Sequence, residues 1–283
     1  MSAPLPLEIP VGRPVELPGR GTTYIREVPG PAGAPTLILL HGWTVTTAMN
    51  FCRVLTQIAA KARVRVIGMD LRGHGRGIKP RVLFRLEDCA DDVIALADVL
   101  GIERVVPVGY SMGGAIAQLV AKRHPDRVRG LVLCSTAAFF GDENSTRNAR
   151  RDVIGPAIAT GLTALPPAAR QKLLDRFLMT RGDMDMPEWM TDEIRRNDPA
   201  IVAQAGIALG RFDARPWLSE LTMPSAVVRT TNDQTVSPRR QGVLAKGLPN
   251  VRVFDVAGSH RAAVTETQIW LPQFLQAVSS VQR

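Results

Sequence analysis

Hydrophobic and polar positions follow two alternating rhythms in the first half of the chain. Short apolar runs of the strand type alternate with stretches whose apolar residues recur every three to four positions, a spacing typical of helices. The predicted strands are 13–18, 22–29, 36–41, 64–70, 104–109, 128–135, 224–230 and 251–256. The first two are expected to form an antiparallel pair, and 36–41 (TLILLH) is apolar throughout, as in a buried strand.

Helical spacing fills the intervals between these strands. The predicted helices of the first half are 49–60, 86–100 and 113–124, and a last helix covers 266–278. Gly101 directly follows the second of them and is a natural C-cap. Strands that alternate with helices predict an α/β fold, in which a mostly parallel, eight-stranded sheet carries helices on both faces.

The rhythm breaks between residues 141 and 217, where no good strand occurs. Only helical stretches are found there, at 146–160, 166–180, 187–197 and 199–211. Because the chain returns to strands afterwards, this block predicts a helical cap inserted after the sixth strand. The expected division is a core of 1–139 and 216–283 and a cap of 140–215.

Ser111 is the best candidate nucleophile in the chain. It is the central residue of Gly109-Tyr110-Ser111-Met112-Gly113, between a predicted strand and a predicted helix. A G-x-S-x-G turn in this context exposes the serine at the start of a helix and needs very small flanking residues. The helix N-terminus also favours developing negative charge. The alternative is a glycine-rich turn that holds a serine by chance.

A serine hydroxyl needs a base, and G-x-S-x-G hydrolases place the acid and then the histidine after later strands. Of the four histidines, His260 follows the last predicted strand and fits the base. Asp233 is the single carboxylate of the loop after strand 224–230 and fits the acid, although an aspartate there could simply cap the next helix. Asp213 and Glu220 are weaker candidates because they precede that strand.

Acyl transfer also needs two backbone N–H groups that bind the oxyanion. Met112, the residue after the nucleophile, would supply one of them. Trp43, in the His-Gly-Trp sequence after strand 36–41, would supply the other, and Gly42 would let the backbone approach the substrate. Asp70 ends a strand before Ser111 and is interpreted as organising the loop that follows it.

An apolar substrate pocket is predicted where the cap would cover Ser111. Phe139 and Phe140 lie where the chain leaves the sheet, and Met186 and Trp189 belong to a cap stretch rich in methionine. An apolar inner face would exclude water, and methionine side chains adapt to several acyl shapes. The alternative is that these residues only pack the cap against the core.

The net charge of +9 raises the question of nucleic-acid binding. The densest basic stretch contains Arg72, Arg76, Lys79, Arg81 and Arg85. No aromatic-interleaved basic helix and no nucleic-acid motif accompanies it, so nucleic acid is not expected as a partner. We interpret the stretch as a solvated surface, with a rim that attracts anionic substrates as the alternative.

Three cysteines without metal-ligand spacing predict buried, inert thiols and a reducing compartment. The N-terminal sequence does not have the pattern of a signal peptide, and no apolar run is long enough to cross a membrane. A cytoplasmic protein without membrane insertion is therefore expected. Neither a metal nor a cofactor is predicted, and a homo-oligomer is left open.

These motifs, HGW, DLRGHGRG, GYSMGG, NDQTVSP and GSH, occur in the order found in the α/β-hydrolase superfamily, which the chain resembles over nearly its whole length. It looks most like actinobacterial hydrolases of unassigned substrate, and resembles the perhydrolase and enol-lactonase branches. Haloalkane dehalogenases and epoxide hydrolases have aspartate as nucleophile, so this chain departs from them.

The resemblance implies the α/β-hydrolase fold and acyl transfer by Ser, His and Asp without a cofactor. The expected activity is hydrolysis of a small-molecule carboxylic ester of small to medium, largely apolar character. Lactone hydrolysis, C–C bond hydrolysis and perhydrolysis would use the same triad and remain alternatives. A non-catalytic binding protein on the same fold is the alternative from another class.

Overall fold

One sheet of eight strands organises the chain. The computed structural model describes residues 7–80, 83–141, 165–166, 168–169, 172 and 187–282. Each predicted strand is present within these residues, with ends shifted by a few positions. The strands are β1 (Gly12–Leu17), β2 (Gly21–Val28), β3 (Thr36–Leu40), β4 (Arg65–Met69), β5 (Val105–Tyr110), β6 (Leu131–Cys134), β7 (Ser225–Thr230) and β8 (Val251–Val256).

The order of the strands in the sheet is β1-β2-β4-β3-β5-β6-β7-β8. β1 pairs antiparallel with β2, and β2 pairs antiparallel with β4. The remaining pairs are parallel. The predicted mostly parallel sheet with an antiparallel opening pair is therefore confirmed. Loops at the carboxyl ends of the parallel strands meet at one edge, which is where sites form in such sheets.

The helices of the described residues surround the sheet. They are α1 (Thr47–Phe51), α2 (Leu55–Ala62), α3 (Leu86–Val99), α4 (Met112–Arg123), α5 (Glu188–Arg195), α6 (Pro199–Arg211), α7 (Pro238–Gly247), α8 (Ala262–Thr265) and α9 (Thr267–Ser280). Short 3₁₀ turns cover Pro125–Arg127 and Leu218–Glu220. Gly101 follows α3 with a φ of 64°, as predicted for a helix C-cap.

One predicted helix differs from the structure, and part of the predicted cap lies outside the described residues. The single helix predicted over 49–60 is two helices, α1 and α2, with a break between them. The predicted stretches 187–197 and 199–211 correspond to α5 and α6, which follow β6 in the sequence. The stretch 146–160 and most of 166–180 lie outside the described residues, so the division into core and cap stays a prediction.

Apolar packing covers both faces of the sheet, and β3 shows how. Leu37 and Leu39 belong to one core cluster, whereas Ile38 and Leu40 belong to the other. Successive side chains of a strand point to opposite faces, so a strand that is buried on both sides is apolar throughout. This explains the continuous run TLILL at the centre of the sheet.

The basic stretch after β4 is only partly the solvated surface that we predicted: Arg85 is exposed, Arg81 lies outside the described residues, and the other three cations are engaged within the fold. Arg72 is buried and forms a two-point hydrogen-bonded ion pair with the buried carboxylate of Asp92. Arg76 pairs with Glu193 of α5, and the Lys79 ammonium group donates to the carbonyl oxygens of Gly75 and Arg196. These cations therefore connect parts of the fold.

The three cysteine thiols are buried and free, as predicted. Burial raises the pKa of Cys52 to about 11, so this thiol stays protonated and unreactive at neutral pH. Within the described part of the chain, no helix is both long and apolar enough to span a bilayer.

Candidate active site

Ser111 occupies a sharp turn between β5 and α4. Its backbone has φ 54° and ψ −116°, a conformation that residues other than glycine rarely adopt. The turn also brings backbone into close contact: a Cβ on Gly109 would lie 2.3 Å from the carbonyl oxygen of Gly113, and a Cβ on Gly113 would lie 2.1 Å from that of Leu40. Both positions therefore require glycine, as the sequence pattern predicted.

The structure brings Ser111, His260 and Asp233 together. The Nε2 atom of His260 lies 3.1 Å from Ser111 Oγ, and its Nδ1 atom lies 2.7 Å from Asp233 Oδ2. Asp233 follows β7 and His260 follows β8, so two neighbouring parallel strands deliver them to the same edge as β5. The arrangement has the geometry of a nucleophile, a base and an orienting acid.

The surroundings of Asp233 keep its carboxylate ionised and fixed. Burial raises the pKa of this carboxyl group, but the hydrogen bond and the charge of His260 lower it by more, together with donors from Val236 and Thr230. Oδ1 accepts the N–H groups of Thr235 and Val236, both at 2.8 Å. Oδ2 accepts the hydroxyl of Thr230 at 2.8 Å. The net effect is a pKa below the usual range.

The weaker acid candidates are engaged elsewhere. Asp213 forms an ion pair with Arg215 on the surface, and Glu220 pairs with Lys122. Asp70 accepts the N–H of Thr47 at the start of α1 and that of Arg76 in the loop that follows it, as expected for an organising residue.

Residues 42–46, which we call the oxyanion loop, border the serine. A Cβ on Gly42 would lie 3.5 Å from Ser111 Cβ, and the Gly42 N–H donates to Asn50 Oδ1 at 2.8 Å. Trp43 is the next residue, and its backbone N–H is the predicted oxyanion donor. Met112 opens α4, so its N–H precedes the first intrahelical hydrogen bond and is available to a ligand.

Comparison with known proteins agrees with the fold described above. Residues 35–266 match the family described as having the alpha/beta hydrolase fold. The chain belongs to the α/β-hydrolase family. The predicted fold and the predicted enzyme class, a hydrolase, are thereby confirmed.

The individual relatives are named for different activities. The chain is 34% identical over 233 residues to a pimeloyl-[acyl-carrier protein] methyl ester esterase of Chromobacterium violaceum, covering 78% of this chain and 85% of that protein. It is 26% identical over 218 residues to 3-oxoadipate enol-lactonase 2 of Acinetobacter baylyi, covering 77% and 78%. The solved structure of an esterase from Exiguobacterium antarcticum superimposes with a TM-score of 0.74 at 20% identity, covering 95% of this chain and 100% of that one.

The predicted pocket residues of this α/β hydrolase are only partly described. Phe139 is buried, and the guanidinium groups of Arg215 and Arg240 lie 4.1 and 5.1 Å from its ring centre. Phe140 packs against Phe212, with 6.3 Å between ring centres. Trp189 is half-buried in the first turn of α5, and Met186 lies outside the described residues. Their role as a pocket stays a prediction.

Two residues that hold the His260 loop were missed from the sequence. Tyr110 donates its hydroxyl to the carbonyl oxygen of His260, at 2.7 Å. Glu266 accepts both the N–H and the hydroxyl of Ser259, at 3.1 and 2.5 Å. Tyr110 is the variable second residue of the G-x-S-x-G turn, so its position in the motif gave no signal for this contact.

Proposed function

We propose that this hydrolase cleaves carboxylic esters of small to medium, largely apolar substrates through an acyl-serine intermediate. The observation that carries the proposal is the continuous hydrogen-bonded series from Ser111 Oγ through His260 to Asp233, built on a strained turn. A hydroxyl becomes a competent nucleophile when a positioned imidazole accepts its proton. Similarity to a methyl ester esterase supports an ester as the substrate.

The proposed reaction has two halves. Ser111 Oγ attacks the ester carbonyl carbon while His260 Nε2 takes its proton, and the N–H groups of Trp43 and Met112 bind the oxyanion. The tetrahedral intermediate then collapses, and His260 gives the proton to the departing alcohol. In the second half, His260 takes a proton from water and the hydroxide adds to the acyl-serine. The intermediate then collapses to the acid, and His260 returns the proton to the departing Ser111 Oγ. Asp233 stabilises the imidazolium in both halves.

A lactone is the second candidate substrate. It is an internal ester that the same steps would open, and the similarity to 3-oxoadipate enol-lactonase 2 favours it. We also propose a reducing, cytoplasmic location, which the buried free thiols of Cys52, Cys89 and Cys134 support.

The first test is covalent labelling with a fluorophosphonate probe. The wild type should be labelled at Ser111, and Ser111→Ala should not be labelled although it folds. A folded wild type that resists labelling would favour a non-catalytic binding protein.

The second test assigns the substrate class. Wild type and Ser111→Ala are compared on p-nitrophenyl esters of increasing acyl length, on lactones and on a vinylogous diketone. We expect the wild type to prefer esters of short to medium acyl length, and Ser111→Ala to have lost this activity. Faster turnover of lactones or of the diketone would replace the ester proposal with lactone or C–C bond hydrolysis.

A further inference from the structure

The two ends of the oxyanion loop are fixed by the core. At its start, the Gly42 N–H donates to Asn50 Oδ1 at 2.8 Å. Directly after its end, the Thr47 N–H donates to Asp70 Oδ1 at 3.1 Å. Asn50 in α1 and Asp70 directly after β4 are buried, so these anchors are shielded from water.

The middle of the loop is held by a different part of the chain. Asn197, in the turn between α5 and α6, donates its Nδ2 group to the carbonyl oxygen of Thr44 at 2.9 Å. The indole N–H of Trp43 donates to the carbonyl oxygen of Val202 in α6 at 2.7 Å. The hydroxyl of Thr46 donates to Glu193 Oε2 in α5 at 2.9 Å. Three polar contacts thus connect the loop to one helical pair.

Thr44 has a backbone conformation that needs such support. Its φ is 69°, in the left-handed region that costs free energy for a β-branched residue. Asn197 is itself fixed, because its Oδ1 accepts the Gly75 N–H at 2.7 Å and its Nδ2 therefore faces Thr44. Without that contact, Thr44 is expected to relax and to turn the neighbouring peptide groups.

Helix α6 is also shaped to receive the Trp43 side chain. A Cβ on Gly206 would lie 2.7 Å from Trp43 Cζ2, whereas a Cβ on Gly210 of the same helix would meet no atom within 4 Å. Gly206 therefore leaves space for the indole. Since Gly210 has no such neighbour, the two glycines provide a matched pair for experiment.

From these contacts we propose that α5 and α6 position the oxyanion loop, with Asn197 and the Trp43 indole as positioning residues for the backbone N–H that binds the oxyanion. The inference rests on the proposed function, because it assigns this loop a role in ester hydrolysis. Its consequence is that the stabilisation of the transition state depends on how the helical pair contacts the loop, while the triad itself is built by the core.

The first experiment changes Asn197. Asn197→Ala removes the contact to Thr44, and Asn197→Asp keeps an acceptor for the Gly75 N–H but places a carboxylate against the Thr44 carbonyl. For a p-nitrophenyl ester, kcat is expected to fall about 10- to 100-fold in both variants, as for a displaced oxyanion donor. KM should change less than about threefold, because ground-state binding does not use that donor.

A trifluoromethyl ketone gives the decisive readout. Ser111 Oγ adds to the ketone carbonyl carbon, and the resulting oxyanion occupies the position of the oxyanion in the tetrahedral intermediate. The affinity of the ketone therefore reports oxyanion binding directly. Its inhibition constant should rise by the factor by which kcat falls. A role of Asn197 in folding alone would lower Tm without this parallel change.

Gly206→Ala and Gly210→Ala form the second experiment, in which neither substitution deletes a side-chain hydrogen-bonding group. Gly206→Ala should displace the indole, lower kcat about 10-fold and weaken the ketone by a similar factor. Gly210→Ala should leave both unchanged and slightly stabilise the helix.

Three results would overturn the inference. The first is that the Asn197 variants retain the wild-type kcat and ketone affinity. If those variants do not fold, the same result in Gly206→Ala counts. The second is that the variants raise KM and leave kcat unchanged, which would show that α5 and α6 contribute only to substrate binding. A wild type that is neither labelled by the fluorophosphonate nor active on esters would remove the proposed function as well. A labelled, active wild type with unaffected variants would remove this inference alone.

Discussion

The hydroxyl of Tyr110 donates a hydrogen bond of 2.7 Å to the backbone carbonyl oxygen of His260, 150 residues further along the chain. Tyr110 directly precedes Ser111, so the turn that carries the serine also holds the loop that carries the histidine. The two aromatic rings are in edge contact as well, with centres 5.9 Å apart.

Tyr110→Phe should therefore weaken catalysis without removing any member of the triad. Loss of one hydrogen bond of about 0.5–1.5 kcal/mol predicts a fall in kcat of about 2- to 10-fold, with KM nearly constant. Steady-state kinetics on a p-nitrophenyl ester measure this. Tyr24→Phe is the matched control, since the chain has two tyrosines and Tyr24 lies in β2; an equal loss there would contradict the explanation.

Ser111→Ala and His260→Ala should each lower kcat by about 10⁴ or more. The double variant should be little worse than either single variant, because the two side chains act as one unit. The measurement is kcat for the three variants on one ester. Mass spectrometry after treatment with the fluorophosphonate probe gives the fraction of each protein that is labelled. Losses that multiply would show that the residues act independently.

Asp233→Asn should cost less than removal of the serine or the histidine, yet about 10³-fold or more in kcat, because the imidazolium loses its ionised partner. Asp213→Asn is the control and should retain wild-type activity, since Asp213 pairs with Arg215. A variant at position 233 with full activity would require another acid.

Two buried histidines should make the fold less stable in mild acid. Burial lowers the pKa of His41 from 6.5 to about 4 and that of His74 from 6.5 to about 3. Below 6.5 the unfolded chain takes up both protons while the folded chain stays neutral, so the free energy of unfolding falls as the pH falls towards 4. The expected slope approaches about 1.4 kcal/mol per pH unit for each histidine.

Urea unfolding at several pH values between 7.5 and 4.5 measures this slope. His74→Asn retains an amide donor for the carbonyl oxygen of Arg72, which His74 Nδ1 contacts at 2.9 Å, but does not titrate. It should reduce the slope by about half. A slope that is the same in wild type and variant would exclude His74 as a source.

The sequence was informative wherever a physical constraint is local. The apolar run of β3 and the glycines around Ser111 are dictated by neighbours in the chain or by the nearest strand, so pattern and motif sufficed to predict them. The order of the motifs then led to Asp233 and His260. Their roles in catalysis are proposals that the variants above test.

Contacts between distant segments that no motif marks were beyond reach of the sequence. Asn197 and Glu193 contact the oxyanion loop about 150 residues away, and nothing in a helical pattern shows which polar side chain will be turned inwards. For the same reason, Arg72 was misjudged, because its buried partner Asp92 lies in α3, 20 residues further along the chain. A buried ion pair becomes visible only when both elements are placed.

β8 forms the border of the sheet, next to β7, and ends in the loop that holds His260. Segments with few buried apolar side chains open at a lower free energy than the molecule as a whole, and all but one of the β8 side chains are exposed or half-buried. Opening there would displace the base while Ser111, in the middle of the sheet, stays in place. On gentle warming, this enzyme is therefore expected to lose its catalytic activity reversibly, at temperatures where circular dichroism still shows its full helix content.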